Sequence, residues 1–110
     1  MAYDEGVAQR IREYLEVRDD VVEKKMFGGL AFMVAGNMCC GVINDSVMAR
    51  VGPAEYREAL ALPHTREMDF TGKPMKGYVF VDPPGFENDR DLEAWIRVCR
   101  EFVSSLPAKD

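Results

Sequence analysis

Residues 25–51 decide the fold and read KMFGGLAFMVAGNMCCGVINDSVMARV. The middle of this stretch carries almost no charge, which suits an interior, and glycine recurs in it too often for a helix. The pattern predicts three buried strands, at 30–34, 38–43 and 47–51. Turn signals lie between them at 35–37 and 44–46. Strands joined by connections this short are antiparallel neighbours.

Three helices are predicted around this stretch. Val7, Ile11 and Leu15 share one face of a helix that runs from Asp4, a suitable N-cap, to about residue 17. Gly52-Pro53 ends the strands and favours a short helix that stops before Pro63. A wide apolar stripe predicts a long final helix. The candidate caps of that helix are Asn88 and Asp89.

Two further strands are predicted at 66–70 and 77–81, and residues 21–27 form either a strand or an extended lead-in. This order predicts an α+β fold of two layers within a single domain over residues 1–110. An antiparallel sheet of about five strands would pack against the N- and C-terminal helices and the short middle helix. Because these helices are too few to cover both faces of the sheet, we expect its second face to be exposed or to self-associate.

Composition limits the classes of function. The chain has 110 residues and a formal net charge of −5, which makes nucleic acid an unlikely partner. Three cysteines form a poor disulfide framework and favour a reducing compartment. The first residues lack the pattern of a secretory signal, and no apolar run reaches the roughly 20 residues that span a bilayer. We therefore expect a cytoplasmic protein that does not associate with membranes.

Several pieces of the sequence match a known family. They are Lys25-Met26-Phe27-Gly28-Gly29, Phe32-Met33, Gly36, Arg50-Val51-Gly52 and Met68-Asp69-Phe70-Thr71-Gly72-Lys73-Pro74-Met75-Lys76-Gly77. In this order and spacing they resemble the N-terminal domain of the TfoX/Sxy competence regulators. The resemblance implies a helix-flanked antiparallel sheet and a regulatory protein rather than an enzyme. The competence regulators carry a second, C-terminal domain after this one. Because this sequence stops at Asp110 without one, we expect a stand-alone domain. The family supplies no catalytic, cofactor or metal site to carry over.

The residues themselves favour no catalytic chemistry. Cys39 and Cys40 are neighbours in a strand and should point to opposite faces, and Cys99 completes no zinc-binding spacing. Buried structural thiols are the favoured interpretation, with redox sensing as the alternative. His64 has no nucleophile motif beside it. Gly28-Gly29 lacks the lysine and hydroxyl residue of a phosphate-binding loop. We expect no enzymatic activity, cofactor or metal.

The methionines suggest a binding function. Most of them lie in or beside predicted strands, where core filling is the simplest explanation, but methionine is also common on adaptable binding faces. The candidate interaction surface comprises Phe27, Met48, Arg50, Phe70, Lys73, Met75 and Lys76. It predicts a regulatory or adaptor domain that binds a protein partner, with a homodimer as one form. The alternative is a small-molecule-binding or thiol redox-responsive domain.

Overall fold

A computed structural model describes residues 3–15, 20–26, 28–68 and 75–107. In this part of the chain three helices and a 3₁₀ turn accompany six strands. The helices are α1 (Glu5–Leu15), α2 (Tyr56–Ala61) and α3 (Asp89–Ser104), and the 3₁₀ turn is Pro83–Gly85. The strands are β1 (Val21–Met26), β2 (Gly29–Val34), β3 (Asn37–Ile43), β4 (Ser46–Arg50), β5 (Thr65–Glu67) and β6 (Tyr78–Val81).

The strands form one antiparallel sheet in the order β1-β2-β3-β4-β6-β5. The predicted α+β class, with helices at both ends and a short middle helix, is confirmed. The sheet has six strands rather than about five, because β1 is a full strand and not a lead-in. It pairs with β2 over its whole length, from Val21 opposite Val34 to Met26 opposite Gly29.

The helix caps follow the sequence. The Asp4 carboxylate accepts hydrogen bonds from the backbone N–H groups of Gly6 at 2.8 Å and Val7 at 3.2 Å. The Asn88 side chain accepts one from the Asp91 N–H at 2.9 Å. Each cap satisfies N–H groups that the first helical turn leaves without partners. Asn88 is therefore the cap of α3.

The turn between β2 and β3 differs in detail from the prediction. Its positive-φ residues are Ala35 and Gly36, at φ 50° and 82°. Asn37, which was expected in the turn, begins β3 and is 3% exposed. Its side-chain amide donates a hydrogen bond to the Pro107 carbonyl at 2.9 Å, which ties the chain after α3 to the sheet. A buried amide needs such a partner, and this one is formed by tertiary contact.

The main core lies between one face of the sheet and the two long helices. Its helical contributions include Ile11 and Leu15 from α1 and Leu92, Ile96 and Val103 from α3, all at most 2% exposed. These residues recur at helical spacing, so the predicted stripes are the buried ones.

The second face of the sheet is not open, and the expectation that it would be exposed is wrong for its centre. The side chains at its centre belong to a second cluster of buried residues: Ala31, Met38, Met48, Met68 and Phe80. Of these, Ala31, Met48 and Met68 are 0% exposed. All six methionines that the structure describes belong to this cluster or pack against it. We call this side of the sheet the methionine face.

Candidate interaction surface

The margin of the methionine face keeps partly exposed apolar groups. We define the methionine margin as the half-buried side chains packed against the second cluster, which are Met26, Met33, Ile43, Met75 and Tyr78. Val22 lies directly opposite Met33 across β1 and β2 and is 53% exposed. Directly opposed residues share a face. The margin therefore continues to the edge of the sheet.

The predicted surface residues are only partly brought together. Arg50 lies opposite Tyr78, and the Tyr78 N–H donates to the Met75 carbonyl at 3.1 Å, which places these residues with exposed Lys76 at one end of the sheet. Met48 is fully buried in the second cluster, so it is removed from the surface. Phe27, Phe70 and Lys73 lie outside the described residues.

Arg50 links the methionine face to α3. Its guanidinium carbon lies 5.3 Å from the ring centres of both Tyr78 and Phe102, and its Nη1 donates to the Met38 carbonyl at 3.2 Å. A guanidinium over an aromatic face is held by the ring quadrupole. Half-buried Arg50 is therefore a built part of the fold, and its charge is already engaged.

Gly52 and Gly77 explain how two separated pieces of the family motif, residues 50–52 and 68–77, meet at Arg50. The N–H groups of Val51 and Gly52 both donate to the Gly77 carbonyl, at 2.9 and 3.0 Å. Gly52 and Gly77 have φ of 89° and 93°, a region that favours glycine. A Cβ at residue 52 would lie less than 3.0 Å from three ring carbons of Phe102. The bare backbone of Gly52 thus leaves room for the ring that packs over Arg50.

The two adjacent cysteines point to the same side, contrary to the prediction. Phe32 lies opposite Cys40, whereas the next residue, Met33, lies opposite Met38. Cys39 is therefore the extra residue of a β-bulge, which interrupts the alternation of side chains. Both thiols lie in the main core and are 0% exposed.

The surroundings distinguish the three thiols. A hydrogen bond from Cys40, with the positive charges of Arg100 and Arg50, lowers the pKa of Cys39 against the opposing effect of burial. The same hydrogen bond, and then burial, raises the pKa of Cys40. Burial raises the pKa of Cys99 despite a hydrogen bond from the Arg50 backbone. All three cysteines are free and buried. In the described part of the chain, no group of three or more His, Cys, Asp or Glu side chains could hold a metal ion.

Sequence reasoning missed two concavities. One is a groove of about 360 Å³ between the end of α2, the 3₁₀ turn and α3, with Leu62, 51% exposed, Trp95 and His64 in its lining. The other is a cleft of about 670 Å³ between α1, the β2–β3 turn and α3. Pro63 and Pro83 indicate two loops in the sequence, but the sequence does not show that these loops are neighbours. The pairing of β5 with β6 brings the two loops together to form the groove. The alternative of a small-molecule-binding domain, which the sequence suggested without these concavities, stays a prediction.

These features define a two-layer α+β domain in which glycines join separated motif pieces at one end of an antiparallel sheet. The chain belongs to the TfoX N-terminal domain family, which matches residues 13–103. The resemblance seen in the sequence is thereby confirmed, and membership supports, at a coarse level, a regulatory, competence-type domain. No curated protein and no solved structure matches the chain significantly. No helix in the described ranges is long and apolar enough to cross a membrane.

Proposed function

We propose that this protein is a non-enzymatic regulatory or adaptor domain that binds another protein through the methionine margin. One observation carries the proposal. Six methionines are gathered on one face of the sheet, and three of them, Met26, Met33 and Met75, remain half-buried at its margin. A core alone requires no such segregation, since methionine can fill gaps on either face.

The chemistry of the margin suits a protein partner. Methionine side chains are flexible and polarisable, so they can repack against partners of different shape. Half-buried Tyr78 adds an aromatic group, a residue type enriched at interfaces. Lys24 and Lys76 are exposed beside these apolar groups. We therefore expect the partner to present an apolar segment flanked by acidic residues.

The experiment places a photo-crosslinking amino acid at Met33 or at Met75 in the full chain, within the cell that makes it. Glu58, exposed on α2, provides the matched control position. We expect Met33 and Met75 to capture one common protein that Glu58 does not capture. Equal capture from all three positions, or none from the margin, would contradict the proposal. A product of twice the chain mass would report self-association instead.

A thiol-responsive domain is the second candidate, because the bulge places Cys39 and Cys40 on the same side and the pKa of Cys39 is lowered. In this reading the Cys39 thiolate attacks the O–O bond of a hydroperoxide. A sulfenic acid forms on Cys39, and hydroxide or alkoxide leaves. The test exposes native protein to peroxide and traps sulfenic acid with a dione reagent. Labelling that Cys39→Ser abolishes would support this candidate, whereas a native protein that stays unlabelled would exclude it.

A further inference from the structure

The outer edge of β1 is open in the described part of the chain. β1 is the first strand of the sheet and pairs only with β2. An edge strand presents backbone N–H and C=O groups that can pair with a further strand. β1 runs for six residues without proline or glycine, whereas the opposite edge strand, β5, has only three residues. β1 is therefore the longer of the two edges at which this sheet can accept a strand.

The hydrogen bonds of the sheet show which backbone groups of β1 point outward. The Asp20 carbonyl accepts a hydrogen bond from the Ala35 N–H at 2.8 Å, and these two residues continue the register of β1 and β2. Hydrogen-bonded pairs alternate along an antiparallel ladder. The backbone groups of the even-numbered residues of β1 therefore bond to β2. Those of Val21, Glu23 and Lys25 point to the open edge.

The side chains of β1 alternate between the two faces of the sheet. Val22 and Lys24 lie opposite Met33 and Ala31, which places them on the methionine face, and Met26 packs on the same side. Val22 is exposed, and Met26 is half-buried. On this face an added strand would therefore meet an apolar group, an ammonium group and a second apolar group in turn. The edge continues the methionine margin.

The charges that β1 leaves free are both positive. Lys24 and Lys25 are exposed, and neither forms an ion pair with another described residue. The Glu23 carboxylate is already engaged, because it accepts hydrogen bonds from Nε and Nη2 of Arg12 at 2.7 and 2.8 Å. Lysine on an edge strand discourages pairing with strands that lack acidic groups. The edge therefore selects a strand that places carboxylates opposite the two lysines.

We propose that β1 accepts an extended segment of a partner protein as a seventh strand, and that this segment carries adjacent acidic residues opposite Lys24 and Lys25. Six strands are described above, and all of their pairings are antiparallel. Paired in the same way, the segment reads apolar, acidic, acidic, polar, apolar from its position opposite Met26 to its position opposite Val22. This inference rests on the proposed function, because it states the form in which the bound protein reaches the methionine margin.

A synthetic peptide tests strand addition. The probe is the blocked peptide VEETVT, whose residues would lie opposite residues 26 to 21 in turn. Because the interface is small, we expect a dissociation constant of roughly 1 mM. In the isotope-labelled full chain, the amide signals of Val21, Glu23 and Lys25 should shift most, because these N–H groups gain hydrogen bonds. No shift of these signals at millimolar peptide would overturn the proposal.

Two N-methylated peptides separate backbone pairing from charge attraction. In the proposed register the fourth peptide residue donates its N–H to Glu23, whereas the N–H of the third residue, opposite Lys24, points away from β1. N-methylation of the fourth residue should weaken binding about tenfold. N-methylation of the third residue is the matched control and should leave binding nearly unchanged. Equal effects of the two methyl groups would refute the strand pairing.

A charge reversal tests the selection of acidic residues. Lys24→Glu/Lys25→Glu should bind VEETVT about tenfold more weakly at low salt, because two opposite-charge pairs become like-charge pairs. This variant should instead bind the peptide VKKTVT, which the original chain should not bind. Unchanged binding of VEETVT, or no binding of VKKTVT by the variant, would contradict the selection.

Strand addition and the proposed function can fail separately. If the β1 amide signals shift when the protein is concentrated without peptide, a second copy occupies the edge, and the acidic segment is refuted as its occupant. If VEETVT does not bind while Met33 and Met75 still capture one protein, strand addition is wrong and the proposed function stands. If VEETVT binds while the margin captures nothing, the proposed function is wrong and the site at the edge stands.

Discussion

Replacing Gly52 with alanine tests how the motif glycines hold the Arg50 end of the sheet. The substitution adds one methyl group at a buried residue whose φ is 89°. Two costs follow from the geometry. The backbone must hold an L-residue in a left-handed conformation, and the new Cβ overlaps the Phe102 ring. The first cost is intrinsic to the residue, and the second depends on the ring.

The expected loss can be worked out from these two costs. A non-glycine residue in this region costs roughly 1–2 kcal/mol. Moving Phe102 sacrifices packing and its contact with Arg50, for which we expect a further ~1–2 kcal/mol. We therefore predict that Gly52→Ala lowers the free energy of unfolding by about 3 kcal/mol.

Gly28→Ala is the matched control. Gly28 also has a positive φ, 78°, but a Cβ there would meet no atom within 4 Å. We expect a loss of about 1 kcal/mol at this position. Urea unfolding followed by circular dichroism measures both, and at a slope of about 2 kcal/mol per M the two midpoints should differ by about 1 M. In a Phe102→Leu background the extra cost of Gly52→Ala should shrink, because the ring is gone. Equal losses for the two glycine variants, or an unchanged cost in that background, would refute the reasoning.

Three further predictions concern the rest of the domain. Met48→Ala should lower the free energy of unfolding in urea by about 2–5 kcal/mol, because Met48 is fully buried. Met33→Ala, at the half-buried margin, should lower it less. Small and similar losses for the two variants would contradict a buried methionine face. Hydrogen bonds from Arg66 lower the pKa of Asp82, so the carboxylate stabilises the fold above about pH 4 and loses this effect as the pH falls through its folded pKa. Asp82→Asn should therefore be less stable than the original chain by up to about 1 kcal/mol at pH 6, and this difference should vanish near pH 2. A difference that does not change with pH would argue against a stabilising ion pair between Arg66 and Asp82. Asn88→Ala should lower the unfolding free energy by about 1 kcal/mol through the loss of the α3 cap, and an unchanged thermal midpoint would show that the cap contributes little.

The sequence was most informative where structure is local. Asp4 and Asn88 were both recognisable as caps because capping depends on residue type and on the few residues that follow. The strands between residues 29 and 50 were placed within about one residue, since their turns carry Gly, Asn and Asp. The family resemblance rested in part on glycines, and the structure gives two of them, Gly52 and Gly77, a shared physical role.

Features that depend on pairing between distant segments could not be predicted from the sequence. The bulge at Cys39 exists because of the register between β2 and β3, and no residue type announces it. The burial of the methionine face also could not be predicted, because Met68 was expected in a strand at 66–70, whereas β5 ends at Glu67 and Met68 is buried in the second cluster. Apolar spacing showed which residues are buried, but not how many faces a small set of elements can cover.

Both ends of the described chain are fastened to the same strand. Tyr3 forms a bridge with Asn44, just beyond one end of β3, and Pro107 is held by Asn37 at the other end. A mechanical load applied between the two ends would therefore reach the sheet at opposite ends of β3. These attachments are short: the Tyr3 end is held by the bridge and by a hydrogen bond from the Asp4 N–H to the Asn44 carbonyl, and the Pro107 end is held by one side-chain hydrogen bond. A single-molecule stretching experiment should accordingly record the release of both ends at low force before the sheet itself ruptures.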